Sequence, residues 1–354
     1  MTTAQSAIQN SLEETRSWPR DPLHYYLEFP FRENFFPLGL PLEISTNSLD
    51  VLRAAQQSWG RFPEMFAAEK AHLRIGVSDS GPQELPQPPA LRGQRGLISI
   101  IADSKNFGLC DVTAGFGFGW ITPAAAADSA FFRYHFLDLM AGMLLAPMHF
   151  GIVHSGCVAL DGQGVLLCGH SGAGKSTLSF ACAQRGWTFV SDDAVYVPRN
   201  RAGRMVIGNP LYLRLRPDAG ALFPQLHEHS VVLRQNGEFG FEISTATLPR
   251  FTTAFKCHVG HLVFLNRSKT GGTRIVSFPK DEARRRLENV LEYTFACTQA
   301  SAGNRGEMFL SDPQARVEQK AAVGELLAAD VHELSYSSLG PAVECLESLM
   351  RHRS

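Results

Sequence analysis

The stretch "GHSGAGKST", from Gly169 to Thr177, decides how the rest of this sequence is interpreted. It satisfies the pattern G-x-x-x-x-G-K-[ST], and it lies between an apolar run, "GVLLC", and a helical pattern, "KSTLSFACAQRG". Glycines allow successive backbone N–H groups to face one ligand, and the N-terminus of the following helix favours an anion. The sequence therefore predicts a phosphate-binding loop between a strand and a helix.

Two positions of this loop have distinct predicted tasks. Lys175 brings positive charge to the β- and γ-phosphates of a nucleotide, and Ser176 offers its hydroxyl to Mg²⁺. A chance match is the alternative, but the order of strand, loop and helix argues against it. We expect the whole loop to hold the nucleotide, that is Gly169, His170, Ser171, Gly172, Ala173, Gly174, Lys175, Ser176 and Thr177.

A pair of adjacent acids follows the next apolar run. In "FVSDDAVYV" they are Asp192 and Asp193, and they come at the end of a predicted strand, where α/β sheets place ligand sites. Neighbouring residues of an extended chain point in opposite directions, so one carboxylate can reach Mg²⁺ while the other faces a hydroxyl acceptor. The alternative is a simple turn or helix cap made by "SDD".

A histidine is the third candidate. His154 lies fifteen residues before Gly169, and a turn at "DGQG" would pair "IVHSG" with the strand that leads into the phosphate loop. A histidine at a strand end also occurs as a purely structural residue. Pairing through the turn would bring His154 to the phosphate end of the strand.

The segment "HSGCVALDGQGVLLCGHSGAGKSTLSFACAQRGWTFVSDDAVYV" resembles the catalytic domain of the HPr kinase/phosphorylase family. That family has a histidine fifteen residues before the first loop glycine and an "RG" that closes the helix. Its Asp-Asp pair follows the loop lysine by seventeen and eighteen residues. All these spacings hold here, at His154, Arg185-Gly186, Asp192 and Asp193.

The resemblance implies an α/β fold: a P-loop kinase domain of the HPr kinase/PEP carboxykinase type with a mixed sheet, plus a smaller α+β N-terminal domain. It also implies a Mg-ATP-dependent kinase that acts on a serine hydroxyl. Lys175 would hold the phosphates, Ser176 and Asp193 would hold the metal, and Asp192 would take the hydroxyl proton, assisted by His154. Which aspartate takes which task stays open. The family forms hexamers, so a homo-oligomer is implied.

One family signature is missing. HPr kinase carries a Glu-x-Arg-Gly-Leu-Gly string downstream, whereas this sequence reads "NPLYLRLRPDAGALF" in the corresponding region. We therefore expect no phosphorylase activity and an acceptor other than HPr, namely a hydroxyl of a peptide, a protein or a small molecule. Arg214 and Arg216 either face phosphate or an acceptor carboxylate, or are outward residues of an ordinary strand. The alternative function is a non-catalytic ATP-binding regulatory or scaffold module.

The length of 354 residues fits two domains. We place an α+β N-terminal domain at residues 1–125, with a Pro-rich surface loop at residues 78–96, and the P-loop domain at residues 126–354. The apolar stretch "AFFRYHFLDLMAGMLLAPMHFGIV" predicts a buried core helix that ends at Pro147. "HVGHLVFLNRSKTGGTRIVSF" predicts a pair of neighbouring strands.

Composition excludes several classes of protein. The chain is 44% hydrophobic and 19% charged with a formal net charge of -1, and no basic tract suggests nucleic-acid binding. The most apolar stretch is too short and too interrupted by charge to span a bilayer. The seven cysteines stand singly, without zinc-ligand spacing, as in a protein of a reducing, cytoplasmic compartment.

Overall fold

The computed structural model of this protein describes residues 27–94, 96–199, 203–234, 237–268, 270–289 and 313–351. It is an α/β structure with two large sheets, of seven and nine strands, and one small sheet of three strands. Both large sheets are mixed, which confirms the mixed α/β class expected from the sequence. Within the described residues, no helix has the length and apolar character needed to cross a membrane.

The first sheet has the strand order β1-β2-β3-β7-β6-β5-β4, with β2, β3 and β7 parallel to one another. Its strands are β1 (Phe31–Phe35), β2 (Leu42–Thr46), β3 (Ala71–Val77), β4 (Ala90–Gln94), β5 (Leu97–Ile101), β6 (Phe107–Asp111) and β7 (Phe116–Ile121). Strand β4 lies inside the segment 78–96 that was predicted as a loop. The prediction was wrong there because β4 is an edge strand that begins after the last proline and pairs with β5.

Helices cover one face of this sheet. Helix α1 (Leu49–Trp59) is capped by Ser48, whose side chain accepts a hydrogen bond from the Asp50 N–H, and its buried residues recur at helical spacing. Strand β7 reads "FGFGWI", and its glycines face the helices. A Cβ at Gly117 would lie 2.8 Å from Leu73 and 3.2 Å from Leu144, so glycine is what allows this close packing.

The predicted core helix is present and belongs to this first core. The short helix α2 (Pro123–Ala127) ends at the non-helical Asp128, and a continuous stretch follows of α3 (Ser129–Phe132), a π-helical turn (Arg133–Leu137) and α4 (Asp138–His149). Pro147 does not end it, because the proline sits in the last turn and the helix continues to His149. The stretch packs with the first sheet in one hydrophobic core, which also includes Phe150, Ile207 and Leu211. The domain boundary expected at residue 125 stays a prediction.

The second sheet has the order β11-β9-β10-β17-β13-β12-β8, with β19 added beside β17 and β18 beside β19. Its strands are β8 (Phe150–Val153), β9 (Ser155–Leu160), β10 (Gln163–Cys168), β11 (Thr188–Ser191), β12 (Val195–Pro198), β13 (Met205–Gly208), β17 (Lys256–Arg267), β18 (Arg274–Ser277) and β19 (Asp330–Tyr336). The predicted pairing of β17 with β18 was wrong. Strand β19, from far along the chain, lies between them, parallel to β17 and antiparallel to β18.

Helices and a small sheet cover the second sheet. The small sheet contains β14 (Tyr212–Leu215), β15 (Val232–Leu233) and β16 (Phe239–Ser244) in the order β14-β16-β15. The helices are α5 (Lys175–Gln184), α6 at residues 280–289, α7 (Pro313–Glu325) and α8 (Leu339–Arg351). On α5, Phe180 is fully buried and its ring centroid lies 4.7 Å from that of Phe223. This packing joins α5, which follows the phosphate loop, to the segment after β14.

Candidate nucleotide-binding site

One edge of the second sheet collects the predicted site residues. Strands β10, β17 and β19 are parallel, and β11 runs in the same direction because both β10 and β11 are antiparallel to β9. The residues that follow β10 and β11 therefore meet at one edge, together with the residue before β9. These are the loop from Gly169, the Asp192–Asp193 pair and His154. The predicted pairing of β9 with β10 is confirmed, with Ser155 opposite Cys168.

The loop between β10 and α5 has the backbone that its glycines permit. Gly172 and Gly174 have φ values of +84° and +94°, where a side chain would be strained. A Cβ on Gly174 would also lie 2.2 Å from the hydroxyl oxygen of Tyr336. That hydroxyl donates a hydrogen bond to the carbonyl oxygen of Ala173 at 2.8 Å, so the end of β19 supports the loop from behind.

Lys175 is the first residue of α5 and is only 6% exposed. Its Nζ donates to the carbonyl oxygens of Gly169 at 2.9 Å and His170 at 3.2 Å, so the side chain curls back over its own loop. Burial is the main cause that lowers the pKa of Lys175, against the opposing effect of Asp193, and Arg216 adds a smaller lowering effect. A cation held in this partly buried position favours a bound anion.

The two aspartates lie where the second sheet splits. Strand β11 ends at Ser191 and pairs with β9, whereas β12 begins at Val195 and pairs with β8. The partner chain breaks at the same level, because His154 separates β8 from β9. The breaks face each other, and the ring Nδ1 of His154 lies 3.1 Å from a carboxylate oxygen of Asp193. The sheet itself therefore brings the histidine to one aspartate.

Asp192 and Asp193 both line the cleft but differ in exposure. Asp192 is 3% exposed, and its carboxylate accepts the backbone N–H of Arg214 at 2.7 Å. Burial raises the pKa of Asp192 to about 6, against the opposing effect of Arg214. The side chain of Asp193 is 62% exposed. Its pKa is lowered mainly by the hydrogen bond from His154.

Ser176 connects the loop to the buried aspartate. Its hydroxyl donates to the backbone carbonyl oxygen of Asp192 at 3.2 Å. This contact places the serine hydroxyl next to the strand end that carries the two carboxylates. Oxygen ligands of this kind suit Mg²⁺, which uses one or two protein carboxylates together with substrate phosphates. The described residues contain no cluster of three or more His, Cys, Asp or Glu side chains arranged to hold a metal by themselves.

A cleft of about 930 Å³ opens over these groups. Most of the predicted site residues line it, namely His154, Ser171, Gly172, Gly174, Lys175, Ser176, Thr177, Asp192 and Asp193. The other three, Gly169, His170 and Ala173, contribute to the loop without lining the cleft. The carbonyl oxygens of Gly169 and His170 hold Lys175, and that of Ala173 holds Tyr336.

The opposite wall of the cleft comes from the first sheet and its helices, and no sequence pattern indicated it. Arg133 and Tyr134 of the π-helical turn and Asp138 at the start of α4 line this wall. The Nε of Arg133 donates to the hydroxyl of Ser58 at 2.7 Å, which ties the turn to α1. Burial raises the pKa of Asp138. π-Helical turns are frequent at functional sites, but no local pattern marks them in advance.

Two further residues were missed at the phosphate edge. Tyr336 and Arg267 end the parallel strands β19 and β17 and so reach the loop from elsewhere in the chain. The aliphatic Cδ of Arg267 would lie 3.8 Å from a Cβ on Gly174. Only the three-dimensional strand order places them here, since each lies more than ninety residues from Gly169 in the sequence.

Comparison with known proteins gives one family match. Residues 147–214 match the family described as HPr Serine kinase C-terminal domain. No curated protein matches the chain. Among solved structures, the HPr(Ser) kinase/phosphatase from Coxiella burnetii is 15% identical, with a TM-score of 0.26, over 56% of this chain and 93% of that one. The family match runs from the last turn of α4 to Arg214, and it includes the phosphate loop and both aspartates.

Proposed function

Because this protein is HPr-kinase-like over residues 147–214, we propose that it is a Mg-ATP-dependent kinase that transfers the γ-phosphoryl group to a hydroxyl of a peptide, a protein or a small molecule. One observation carries the proposal. The phosphate loop, the Asp192–Asp193 pair and His154 meet at one edge of the second sheet and line one cleft. Phosphoryl transfer needs this combination of positioned phosphates, metal-binding oxygens and a group near the acceptor hydroxyl.

The loop would bind the phosphates of ATP. Gly172, Gly174 and the N-terminus of α5 line the same cleft as Lys175, and a helix N-terminus favours a bound anion. Mg²⁺, when bound, would neutralise charge on the β- and γ-phosphate oxygens. We assign its protein oxygen ligands to Ser176 and Asp192, because the Ser176 hydroxyl already touches the backbone of Asp192.

This assignment exchanges the tasks that the sequence resemblance implied for the two aspartates. The resemblance placed Asp193 on the metal and paired His154 with Asp192. In the structure His154 contacts Asp193, which is exposed to the cleft, while Asp192 is buried beside Ser176. We therefore infer that the Asp193–His154 pair faces the acceptor hydroxyl.

The proposed step transfers the γ-phosphoryl group from ATP to the acceptor oxygen. The bond between the γ-phosphorus and its bridging oxygen breaks, and ADP keeps the electron pair. The acceptor oxygen forms the new bond to phosphorus, and its proton passes to the Asp193–His154 pair. The transition state is loose, so the pair has mainly to orient the hydroxyl and accept its proton late.

The test separates binding from transfer. Purified protein is incubated with γ-labelled ATP, Mg²⁺ and panels of serine peptides and small hydroxyl compounds, and label in the acceptor is measured. We expect Asp193→Asn to lower the transfer rate by about a hundredfold or more while the affinity for Mg-ATP stays within a few-fold. Asp192→Asn should instead weaken the Mg²⁺ dependence of nucleotide binding.

Two results would contradict the proposal. The first is tight Mg-ATP binding with no transfer to any acceptor and no effect of Asp193→Asn in cells, which would identify an ATP-binding regulatory module. The second is an unchanged rate in Asp193→Asn. Arg285→Ala on the exposed face of α6 is the matched control, since its side chain is 74% exposed and lies outside the cleft.

A further inference from the structure

Arg216 lies against the phosphate loop because of the alternation along β14. Leu213 and Leu215 point into the core under α5, so the residues between and after them face the other way, towards the cleft. One guanidinium nitrogen of Arg216 donates to the hydroxyl of Ser171 at 3.3 Å. Another would lie 3.7 Å from a Cβ on Gly172. The missing side chain of Gly172 thus leaves space that the guanidinium borders.

The same strand links Arg216 to the buried aspartate. The backbone N–H of Arg214, two residues earlier, donates to the carboxylate of Asp192. The segment from Arg214 to Arg216 therefore runs from the proposed metal ligand to the outer side of the phosphate loop. The Arg216 side chain at the end of this segment is therefore fixed relative to both Asp192 and the phosphate loop.

The charge of Arg216 is not matched by an acid. Two neighbouring arginines of the cleft are paired with acids, Arg214 with Glu242 at 3.1 Å and Arg234 with Glu238 at 3.0 Å. Over the described parts of the chain, Arg216 has no carboxylate within 4.0 Å. It stands close enough to Lys175 to disfavour the charged lysine. Two cations that both lie against the phosphate loop fit a multiply charged anion.

We propose that Arg216 binds the γ-phosphate of ATP and stabilises the phosphoryl group during transfer, an inference that rests on the proposed kinase function. As the bond to the bridging oxygen breaks and the bond to the acceptor oxygen forms, the three other oxygens of the phosphoryl group keep their negative charge. A planar guanidinium can donate to two of them at once. P-loop enzymes use an arginine in this way, from the same chain or from a partner.

Arg214 is not an equivalent candidate. Its backbone N–H is committed to Asp192 and its guanidinium to Glu242. The backbone contact positions Asp192, and Glu242 already balances the charge of the Arg214 guanidinium. The exposed Arg216, with only the Ser171 hydroxyl as a partner in the described residues, keeps most of its donors for a ligand.

The experiment compares Arg216→Ala, Arg216→Lys and the control Arg285→Ala in the full-length protein. Calorimetric titrations with Mg-ATP and with Mg-ADP give the preference for the γ-phosphate, and single-turnover assays give the transfer rate. We expect Arg216→Ala to lower the ATP-over-ADP preference by about tenfold and the transfer rate by at least about a hundredfold. Arg216→Lys should restore part of the preference but little of the rate, because lysine is a point charge without the fork.

Unchanged Mg-ADP affinity and an unchanged thermal midpoint in Arg216→Ala would show that the variant folds and that its loss concerns the γ-phosphate. Equal loss of affinity for both nucleotides would overturn the proposal, because Arg216 would then support the loop without contacting the γ-phosphate. The proposal would also be overturned if the ATP-over-ADP preference and the transfer rate of Arg216→Ala stayed within twofold of those of Arg285→Ala. If the wild type transfers no phosphate but Arg216→Ala still loses the preference for ATP over ADP, the kinase function is refuted. The contact between Arg216 and the γ-phosphate is then still supported.

Discussion

At the scale of single residues, Gly174 is the loop position that is least tolerant of a side chain. Its φ of +94° strains any residue with a side chain. Independently, a Cβ added at this position would lie 2.2 Å from the hydroxyl oxygen of Tyr336. We expect Gly174→Ala to destabilise the fold and to lower the affinity for Mg-ATP by at least about tenfold. Thermal unfolding and nucleotide titration measure the two effects.

Two variants separate strain from collision at Gly174. Gly162→Ala has a similar φ of +79° with no atom within 4 Å, so it should cost only the backbone strain, about 1–2 kcal/mol. Tyr336→Phe removes the oxygen that an alanine side chain would meet. If Gly174→Ala costs the same free energy of unfolding with Tyr336 and with Phe at that position, the collision argument fails.

Asp192 gives the protein a pH dependence of defined sign. Its pKa rises from 3.8 to about 6 on folding because the carboxyl is buried, so the folded state favours the protonated form. The stabilisation by this proton is complete below pH 3.8 and is lost as the pH rises through about 6. We expect the free energy of unfolding of the wild type, relative to Asp192→Asn, to fall by about 2 kcal/mol between pH 4 and pH 7.

Denaturant titrations at several pH values measure this difference. Asp193→Asn is the control of opposite sign, because the contact with His154 lowers the pKa of Asp193. The stabilisation by its carboxylate is present above the unfolded pKa and is lost as the pH falls through the lowered value. If the difference in free energy of unfolding between the wild type and Asp192→Asn stays constant from pH 4 to pH 7, burial does not raise the pKa of Asp192.

At the scale of elements, α5 connects the phosphate loop to the core. Phe180 on this helix is fully buried between Phe223 and Phe251, at centroid distances of 4.7 and 6.0 Å. Phe180→Ala should cost about 3–5 kcal/mol of stability, as expected for truncation of a buried aromatic residue. Phe239→Ala, at a position 62% exposed, should cost less than about 0.5 kcal/mol. Comparable losses in the two variants, measured by chemical denaturation, would show that this packing does not hold α5.

Short-range patterns were sufficient for the elements near the loop. The hairpin of β9 and β10 forms through Asp161 and Gly162, whose φ values of +49° and +79° suit a two-residue turn. The same reasoning failed for β17 and β18, because β19 pairs with both from more than fifty residues along the chain. A sequence pattern shows that a strand exists, but not which distant strand enters beside it.

At the scale of the whole molecule, the cleft has two walls from two different cores. The phosphate wall belongs to the second sheet, whereas the π-helical turn of the first core supplies Tyr134 on the other side. The phosphate wall follows from contiguous motifs and could be predicted. The opposite wall depends on how two separate cores pack together, and neither composition nor periodicity encodes that packing directly.

We expect the first core to contact the acceptor and not the nucleotide. Tyr134, 46% exposed in the cleft, is the test position. Tyr134→Ala should raise the KM for the acceptor by about tenfold, the loss of one aromatic contact, and leave the KM for ATP unchanged. Leu97→Ala, equally exposed but outside the cleft, serves as the control. A rise in the KM for ATP alone would assign this wall to the nucleotide.

The curled side chain of Lys175 has a consequence for how the loop keeps its shape. Two of the three ammonium hydrogens are engaged with the carbonyl oxygens of Gly169 and His170, so the lysine braces the backbone on which it depends. Replacing it by methionine, which keeps the apolar stem, should speed amide hydrogen exchange across the loop in nucleotide-free protein. The lysine thus contributes to order before any phosphate arrives.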